Sequence, residues 1–324
     1  MSHHHKNTSR RTFIKLSGAG VAGLPFLSLA APFSGYGKPE ETGLEVHLFS
    51  KHLQFLNYTE MSEAAAEMGF DGLDLTVRPK GHVLPERAND DLPKAVEAMK
   101  KHGLKPHLMT TNVKDPHNEM ERSLLETASA QGFKHYRMGW LKYDGHRSIP
   151  EQLVEFSRLF GELESLNAHL SLKGAYQNHA GIHVGAPIWD TYEIIKNLKS
   201  GYLGAQYDIR HAVVEGGASW ELGLRLIKDR IHTIAIKDFK WGKVNGAWQP
   251  VNTPLGEGMV DFDRYFSLLK KYGIRVPVSL HLEYDLGGAE HGARQITIDR
   301  KTVFSRMKND LDFIKTTWSK ATSD

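Results

Sequence analysis

Two rhythms of apolar residues alternate along residues 44–318. Short β-branched or alternating runs read as strands, and longer stretches with three-to-four spacing read as amphipathic helices. The strand runs are 44–49, 72–77, 106–111, 135–139, 169–177, 203–208, 231–237 and 276–283. Helical runs at 61–68, 92–102, 120–130, 151–166, 189–198, 220–227 and 262–272 separate them. A last helix carries Phe304, Met307, Leu311, Ile314 and Trp318 on one face. Gly103, Gly132, Gly201 and Gly273 each stand between a helix and the next strand, where a left-handed cap ends a helix. Strand-then-helix repeats of this number predict a closed (β/α)8 barrel, which typically needs about 250 residues. No Gly-x-Gly-x-x-Gly follows the first strand, which argues against a doubly wound open sheet.

Composition narrows the chemistry. The chain has no cysteine, which removes disulfides, thiol nucleophiles and thiolate metal sites. Any metal would sit on oxygen and imidazole ligands, and 18 histidines are present. The formal charge is +3, but residues 1–30 hold Lys6, Arg10, Arg11 and Lys15 and no acidic residue. Taking those four from the 41 basic residues leaves 37 against 38 acidic ones. A body so near neutral has no electrostatic footprint for nucleic acid, which speaks against a nuclease.

Residues 1–30 read as a separate segment. Ser9-Arg10-Arg11-Thr12-Phe13-Ile14-Lys15 precedes a weakly apolar, glycine-rich stretch to Ala30, and Ser28-Leu29-Ala30 offers small residues for a signal peptidase. The segment resembles a twin-arginine export signal. Its apolar run is too short, and too broken by glycines and Pro25, for a stable membrane span. The expected organisation is a signal over 1–30, a linker over 31–43 and one barrel over 44–324, working in the periplasm.

Polar clusters stand at the ends of the last four strands: Tyr176-Gln177-Asn178-His179, Tyr207-Asp208-Ile209-Arg210-His211, Ile236-Lys237-Asp238 and His281-Leu282-Glu283-Tyr284-Asp285. Alternate side chains of a strand share a face. Lys173, Ala175, Gln177 and His179 share one, Ala235 and Lys237 another, and His281, Glu283 and Asp285 a third. With these faces inward, Gln177, Asp208, Lys237 and Glu283 form one rim at the mouth where barrel enzymes do chemistry.

These strand ends, with the turn Gly256-Glu257-Gly258-Met259-Val260-Asp261, resemble the sugar phosphate isomerase/epimerase family of xylose isomerase-like barrels. The resemblance covers essentially the whole mature chain. It implies one divalent ion (Mn²⁺, Mg²⁺ or Zn²⁺) held by Glu, Asp, His and Glu from strands five to eight. It also implies two glutamates that move the proton beside a sugar carbonyl through an enediolate. By position Asp208 and Glu283 take the second and fourth ligand places. Gln177 stands where the first Glu would be, and Ala235 where the His would be. Gln ligates only through its carbonyl oxygen and carries no proton near neutral pH, and Ala does neither.

His179, His211 and His281 lie close enough in sequence to compensate. The expected metal set is therefore Gln177, Asp208, Glu283 and His211. The expected catalytic set is Glu283, as base, with His179, His211 and Lys237. Epimerisation needs a proton acceptor on each face of the sugar, from His179, His211, Lys173 or Lys237 if Glu283 serves the other. Elimination or hydration beside a carbonyl needs one base and one acid, so a lyase stays open. A non-catalytic sugar-binding barrel stays open too. Arg78, His82, Trp140, Arg210 and Trp241 follow strand ends and are the expected contacts to a carbohydrate substrate. The aromatic-rich rim loops fit either that substrate or a homodimer surface.

Overall fold

The computed structural model describes residues 43–323 of the 324-residue chain. The expected export signal and all of the linker but Gly43 lie outside the described residues. Eight parallel strands close into a barrel in the order β1, β10, β7, β6, β5, β4, β3, β2. They are β1 (Val46–Phe49), β2 (Gly72–Val77), β3 (Lys105–Thr111), β4 (His135–Arg137), β5 (Lys173–Gln177), β6 (Leu203–Asp208), β7 (Ile231–Ile236) and β10 (Val278–Leu280). β8 (Asp238–Val244) and β9 (Ala247–Thr253) form a separate antiparallel hairpin after β7.

Helices pack outside: α1 (Tyr58–Met68), α2 (Ala88–Lys101), α3 (Glu119–Gln131), α4 (Ile149–Leu170), α5 (Ile188–Ile195), α6 (Ile209–Gly216), α7 (Trp220–Ile227), α8 (Phe262–Lys271) and α9 (Arg300–Lys320). Their apolar stripes meet the outward strand residues in one buried layer, with Leu48, Leu73, Tyr136, Tyr207, Phe266 and Met307 at its centre. The predicted barrel is the observed one. No described helix is long and apolar enough to cross a membrane.

Three local departures matter for the site. α4 runs on to Leu170 and ends at Ser171 with φ 52°, so β5 begins at Lys173 rather than at 169. Lys173 is consequently exposed at the barrel's N-terminal end, and its candidacy as a base at the mouth is withdrawn. α6 starts directly after Asp208, whose carboxylate Oδ1 accepts from the His211 amide at 3.1 Å and caps the helix. Residues 238–253 form the β8–β9 hairpin where no element was expected. Its turn is Asn245-Gly246, with φ of 51° and 81°, the dipeptide that two-residue hairpins favour.

The hairpin explains the Lys-Asp pair and the glycine-rich turn together. Asp238 accepts from the backbone amides of Phe239, Gly256, Gly258 and Val260 at 2.7–3.1 Å. One carboxylate thus folds the 256–260 turn back over the residue that follows Lys237. A Cβ at Gly258 would strike that carboxylate. Asp238→Ala leaves these amides without their acceptor and should cost about 3 kcal/mol in a denaturant melt.

Asp310 on α9 offers a second test. It is buried, accepts from Tyr284 Oη at 3.0 Å and from the Leu255 amide, and burial raises its pKa to about 7. Between about pH 4 and pH 7 the folded state holds a proton that the unfolded chain has lost, so this residue's contribution to stability falls as pH rises. Asp310→Asn should therefore stabilise the protein by about 2 kcal/mol at pH 8 and by little at pH 4.

Candidate active site

Strand register sets the site. Arg137 ends β4 opposite Ala175 of β5, so both face the lumen with Gln177 above Ala175. Gln177 ends β5 and Asp208 ends β6. Ala235 of β7 pairs in register with Asp208 and Ser279, and Lys237 follows two residues later. His281 and Glu283 follow β10. Lys51, from the turn after β1, crosses the seam of the barrel to reach Glu283.

Lys237 is the hub. Its Nζ lies 3.2 Å from Asp208 Oδ2 and 3.8 Å from Glu283 Oε1, and its side chain is 4% exposed. Lys51 Nζ donates to the same Glu283 oxygen at 3.3 Å, and His281 Nδ1 lies 3.8 Å from it. Burial works against the charge of Glu283, but Lys237, His281 and Lys51 outweigh it and hold the carboxyl well below its usual range. Glu283 is therefore ionised and, at 29% exposed, open to the mouth. Asp208 is fully buried, and burial raises its pKa against the opposing pull of Lys237 and the His211 amide. Asn178 fixes the Asp208 backbone from both sides, at 2.8 and 3.1 Å.

The histidines here are neutral. Burial, then Lys237, lowers the His179 pKa to about 4, and the same causes hold His211 well below its ordinary value. His179 Nδ1 lies 2.9 Å from the Ala180 carbonyl, which can only accept, so Nδ1 carries the proton and Nε2 is left as a free base. Arg210 Nη1 donates to His211 Nδ1 at 3.1 Å, so the His211 proton sits on Nε2, 3.6 Å from Asp208 Oδ2. The two rings pack at 4.0 Å between centroids, with Trp140 edge-on to His179 at 4.5 Å. Below them Asp74 accepts from Ser279 and Thr110, and Ser279 in turn meets His281 Nε2 at 3.0 Å.

The expected residues divide clearly. Gln177, Asp208, Lys237, Glu283, His179, His211, Arg210 and Trp140 come together, and Arg78 lies over the Phe49 ring at 5.5 Å beside them. His82 stands apart: its Nε2 meets the Leu53 carbonyl and its Nδ1 the Ser50 hydroxyl, each at 3.2 Å, so its ring has nothing left for a sugar. Trp241 is exposed on the hairpin, edge-on to Phe239. The sequence reading passed over Lys51, Asp74 and Arg137. A charged residue inside a strand run, as Arg137 and Asp74 are, was the available signal.

The four positions that the resemblance gives to a metal do not fit one here. Ala235 has no donor atom. Arg137 Nη1 donates to Gln177 Oε1 at 3.1 Å, and because a guanidinium only donates, the Gln177 orientation is settled. Its amide nitrogen therefore faces Asp208 Oδ2, at 2.8 Å. The carbonyl that could ligate is turned away, and an ammonium already lies between the two remaining carboxylates. The ligand atoms of a different group, Glu45, His47 and His107, lie within 4.8 Å of one another at the barrel's N-terminal end. Glu45 there already accepts from both imidazoles at 2.8 Å and from Lys105 at 2.9 Å.

Comparison with known proteins places the fold. No curated protein sequence matches the chain significantly. Among solved structures, the IOLI protein with a bound zinc atom aligns with a TM-score of 0.66 at 19% identity, over 84% of this chain and 98% of its own. A D-allulose 3-epimerase from Methylomonas sp. aligns at 0.63 and 15% identity, over 85% and 98%. The 3-keto-D-glucoside 4-epimerase YcjR from E. coli aligns at 0.62 and 15% identity, over 84% and 99%. The sequence profile described as xylose isomerase-like TIM barrel matches residues 62–299. The chain belongs to the xylose isomerase-like TIM barrel family.

Proposed function

We propose that the barrel mouth catalyses proton transfer at a carbon beside a sugar carbonyl, as in epimerisation or isomerisation, without a resident metal at the mouth. The observation that carries this reading is Lys237, a buried ammonium held between the carboxylates of Asp208 and Glu283. Glu283 is the base, ionised and open to the mouth. His179 Nε2, a neutral acceptor, serves the other face of the sugar by relaying a proton from water to carbon there, while the proton taken by Glu283 returns to solvent. Lys237 stabilises the enediolate oxygen, an electrostatic role that grows with the charge developed in the transition state. Asp208, itself held by Gln177, keeps Lys237 in place. That two of the similar structures are a D-allulose 3-epimerase and a 3-keto-D-glucoside 4-epimerase supports the choice of reaction class. The reading of Ser9 to Ala30 as an export signal supports a periplasmic location.

A one-base elimination or hydration is the second reading. It is favoured by Gln177, which cannot carry a proton where the resemblance puts the second glutamate. In that version Glu283 takes the proton from carbon and then hands the same proton to the leaving oxygen.

Two outcomes follow. With a panel of ketoses and keto-glucosides in deuterated water, Glu283→Gln should lower deuterium entry at the carbon beside the carbonyl by about 10³-fold, with the thermal melt unchanged. Near wild-type exchange in that variant would sink the assignment. Activity should survive exhaustive chelation and fall on the acid side near pH 4, where His179 takes up a proton and ceases to be a base. Loss of exchange on chelation, restored by one divalent ion, would show that the mouth does hold a metal.

A further inference from the structure

The floor of the barrel, at the N-terminal ends of the strands, carries a group of donors that the chemistry of the mouth does not use. Glu45 stands just before β1, His47 lies within it, and His107 is near the start of β3. Glu45 Oε1 accepts from His47 Nε2 and from His107 Nδ1, each at 2.8 Å. The ligand atoms of the three lie within 4.8 Å of one another, and no other group of His, Asp or Glu among the described residues meets that spacing. Glu45 Oε2 is left to Lys105, at 2.9 Å. The His47 hydrogen bond, with those of Lys105 and His107, outweighs burial and holds the Glu45 carboxyl well below its usual range.

Two features of the backbone bring these side chains together. β2 and β3 pair at Gly72–Lys105 and next at Asp74–Leu108, so Pro106 and His107 together stand opposite Leu73. Such a bulge re-aims a side chain, and here His107 reaches the carboxylate that His47 also meets. Gly72 makes room for His47: a Cβ there would strike His47 Nδ1 and the Lys105 carbonyl oxygen. The His47 side chain is fully buried, whereas those of Glu45 and His107 are 25% and 33% exposed. One donor is thus fixed by packing and two face solvent. A cation needs no separate cavity in this arrangement. It takes the space of the two shared protons and is reached from the open side of Glu45 and His107.

We propose that Glu45, His47 and His107 form a divalent metal site of the zinc-binding class on the barrel floor. Its ligands are Glu45 Oε1, His47 Nε2 and His107 Nδ1, with water completing the shell. Two imidazoles and a carboxylate suit zinc, which takes a tetrahedral shell with bonds of about 2.0–2.2 Å. Donor atoms in such a shell stand about 3.4 Å apart, so the present 2.8 Å contacts open only slightly on binding. The imidazoles ligate as neutral rings, each with its proton on the other nitrogen: Nε2 of His107 and Nδ1 of His47. Lys105 opposes the ion from the second carboxylate oxygen, and Asp71 sets a negative charge beside that lysine. The ion ties β1 to β3 across β2, at the end of the barrel opposite the mouth. Its role is in stability, and proton exchange at the mouth does not depend on it below the melting temperature.

The test is metal binding by the full-length protein, stripped with chelator and dialysed against buffered zinc. Zinc per chain and the thermal melt are read together, because His3, His4 and His5 also offer imidazoles. The wild-type protein should hold a tight ion and melt several degrees higher with zinc than without it. His107→Gln, whose amide still donates to Glu45, should keep the fold, weaken that ion's binding at least about 100-fold and lose the zinc-dependent rise in the melt. Lys105→Met removes the ammonium from Glu45 and should tighten zinc severalfold, a gain that a cluster held by hydrogen bonds alone would not show. Zinc content and a zinc-dependent melt unchanged in His107→Gln would place the ion elsewhere and overturn the proposal. Failure of the wild-type protein to retain zinc at micromolar free metal would overturn it too. Glu283→Gln should keep the ion, so this site is read separately from the mouth.

Discussion

Closure of the sheet between β1 and β10 is the constraint on which the site depends. The two strands pair in register at Val46–Val278, His47–Ser279 and Leu48–Leu280, joining residues more than two hundred positions apart in the chain. Side chains reinforce the seam just above the ladder. The Leu282 amide donates to His52 Nε2 at 3.0 Å, which puts the His52 proton on Nδ1, facing the Ala289 carbonyl. His281 stacks on Phe49 at 4.2 Å, and Lys51 reaches Glu283. A histidine placed this way must stay neutral, and burial, then Lys51, pushes its pKa well below the ordinary value. Without the seam, Glu283 would lose Lys51 and the stacking that orients His281, and the mouth would lack one wall.

Within that frame the site is a problem of charge burial. An isolated ion in a barrel lumen is costly, and pairing returns that cost only with good geometry and further hydrogen bonds. Asp208 meets this condition: Gln177, Lys237 and the His211 amide all address its oxygens. Lys237 meets it through two carboxylates. Arg137 does not, since among the described residues its guanidinium makes one hydrogen bond, to an amide oxygen. Unpartnered buried atoms also stand on the β6–β10 side, at Arg210, His211 and His281.

The sequence carried the barrel because strand and helix rhythms are local, and the glycines between them sit where helices end: Gly103, Gly132, Gly201 and Gly273 all take the positive φ of a left-handed cap. It also carried the last four strand ends, because alternation tells which side chains face inward. It misplaced what depends on where an element stops. His169 and Leu170 continue α4 rather than opening β5, since helix packing along 149–170 outweighs the short apolar run, and this moved Lys173 to the wrong end of the barrel. The β8–β9 hairpin was marked by Asn245-Gly246 but masked by its mostly polar, exposed residues. His82 looked like a rim residue because the loop after β2 is polar. In three dimensions the loop turns back, and Thr76 and Ser50 enclose the ring. Lys51 could not be seen at all, since its partner is 232 residues away.

The two departures from the family's metal set are best understood together with Arg137. A glutamate at 177 would sit against that guanidinium and form an ion pair with it, and it would also face Asp208 as a second negative charge. A divalent ion and a histidine at 235 would then be needed to hold the two carboxylates together. With Gln177 in that place the amide serves both neighbours at once, accepting from Arg137 and donating to Asp208. Ala235 leaves room in the lumen, and the ammonium of Lys237 supplies the one positive charge that the two remaining carboxylates need. An amide at 177 also leaves Arg137 with a neutral partner in place of a carboxylate.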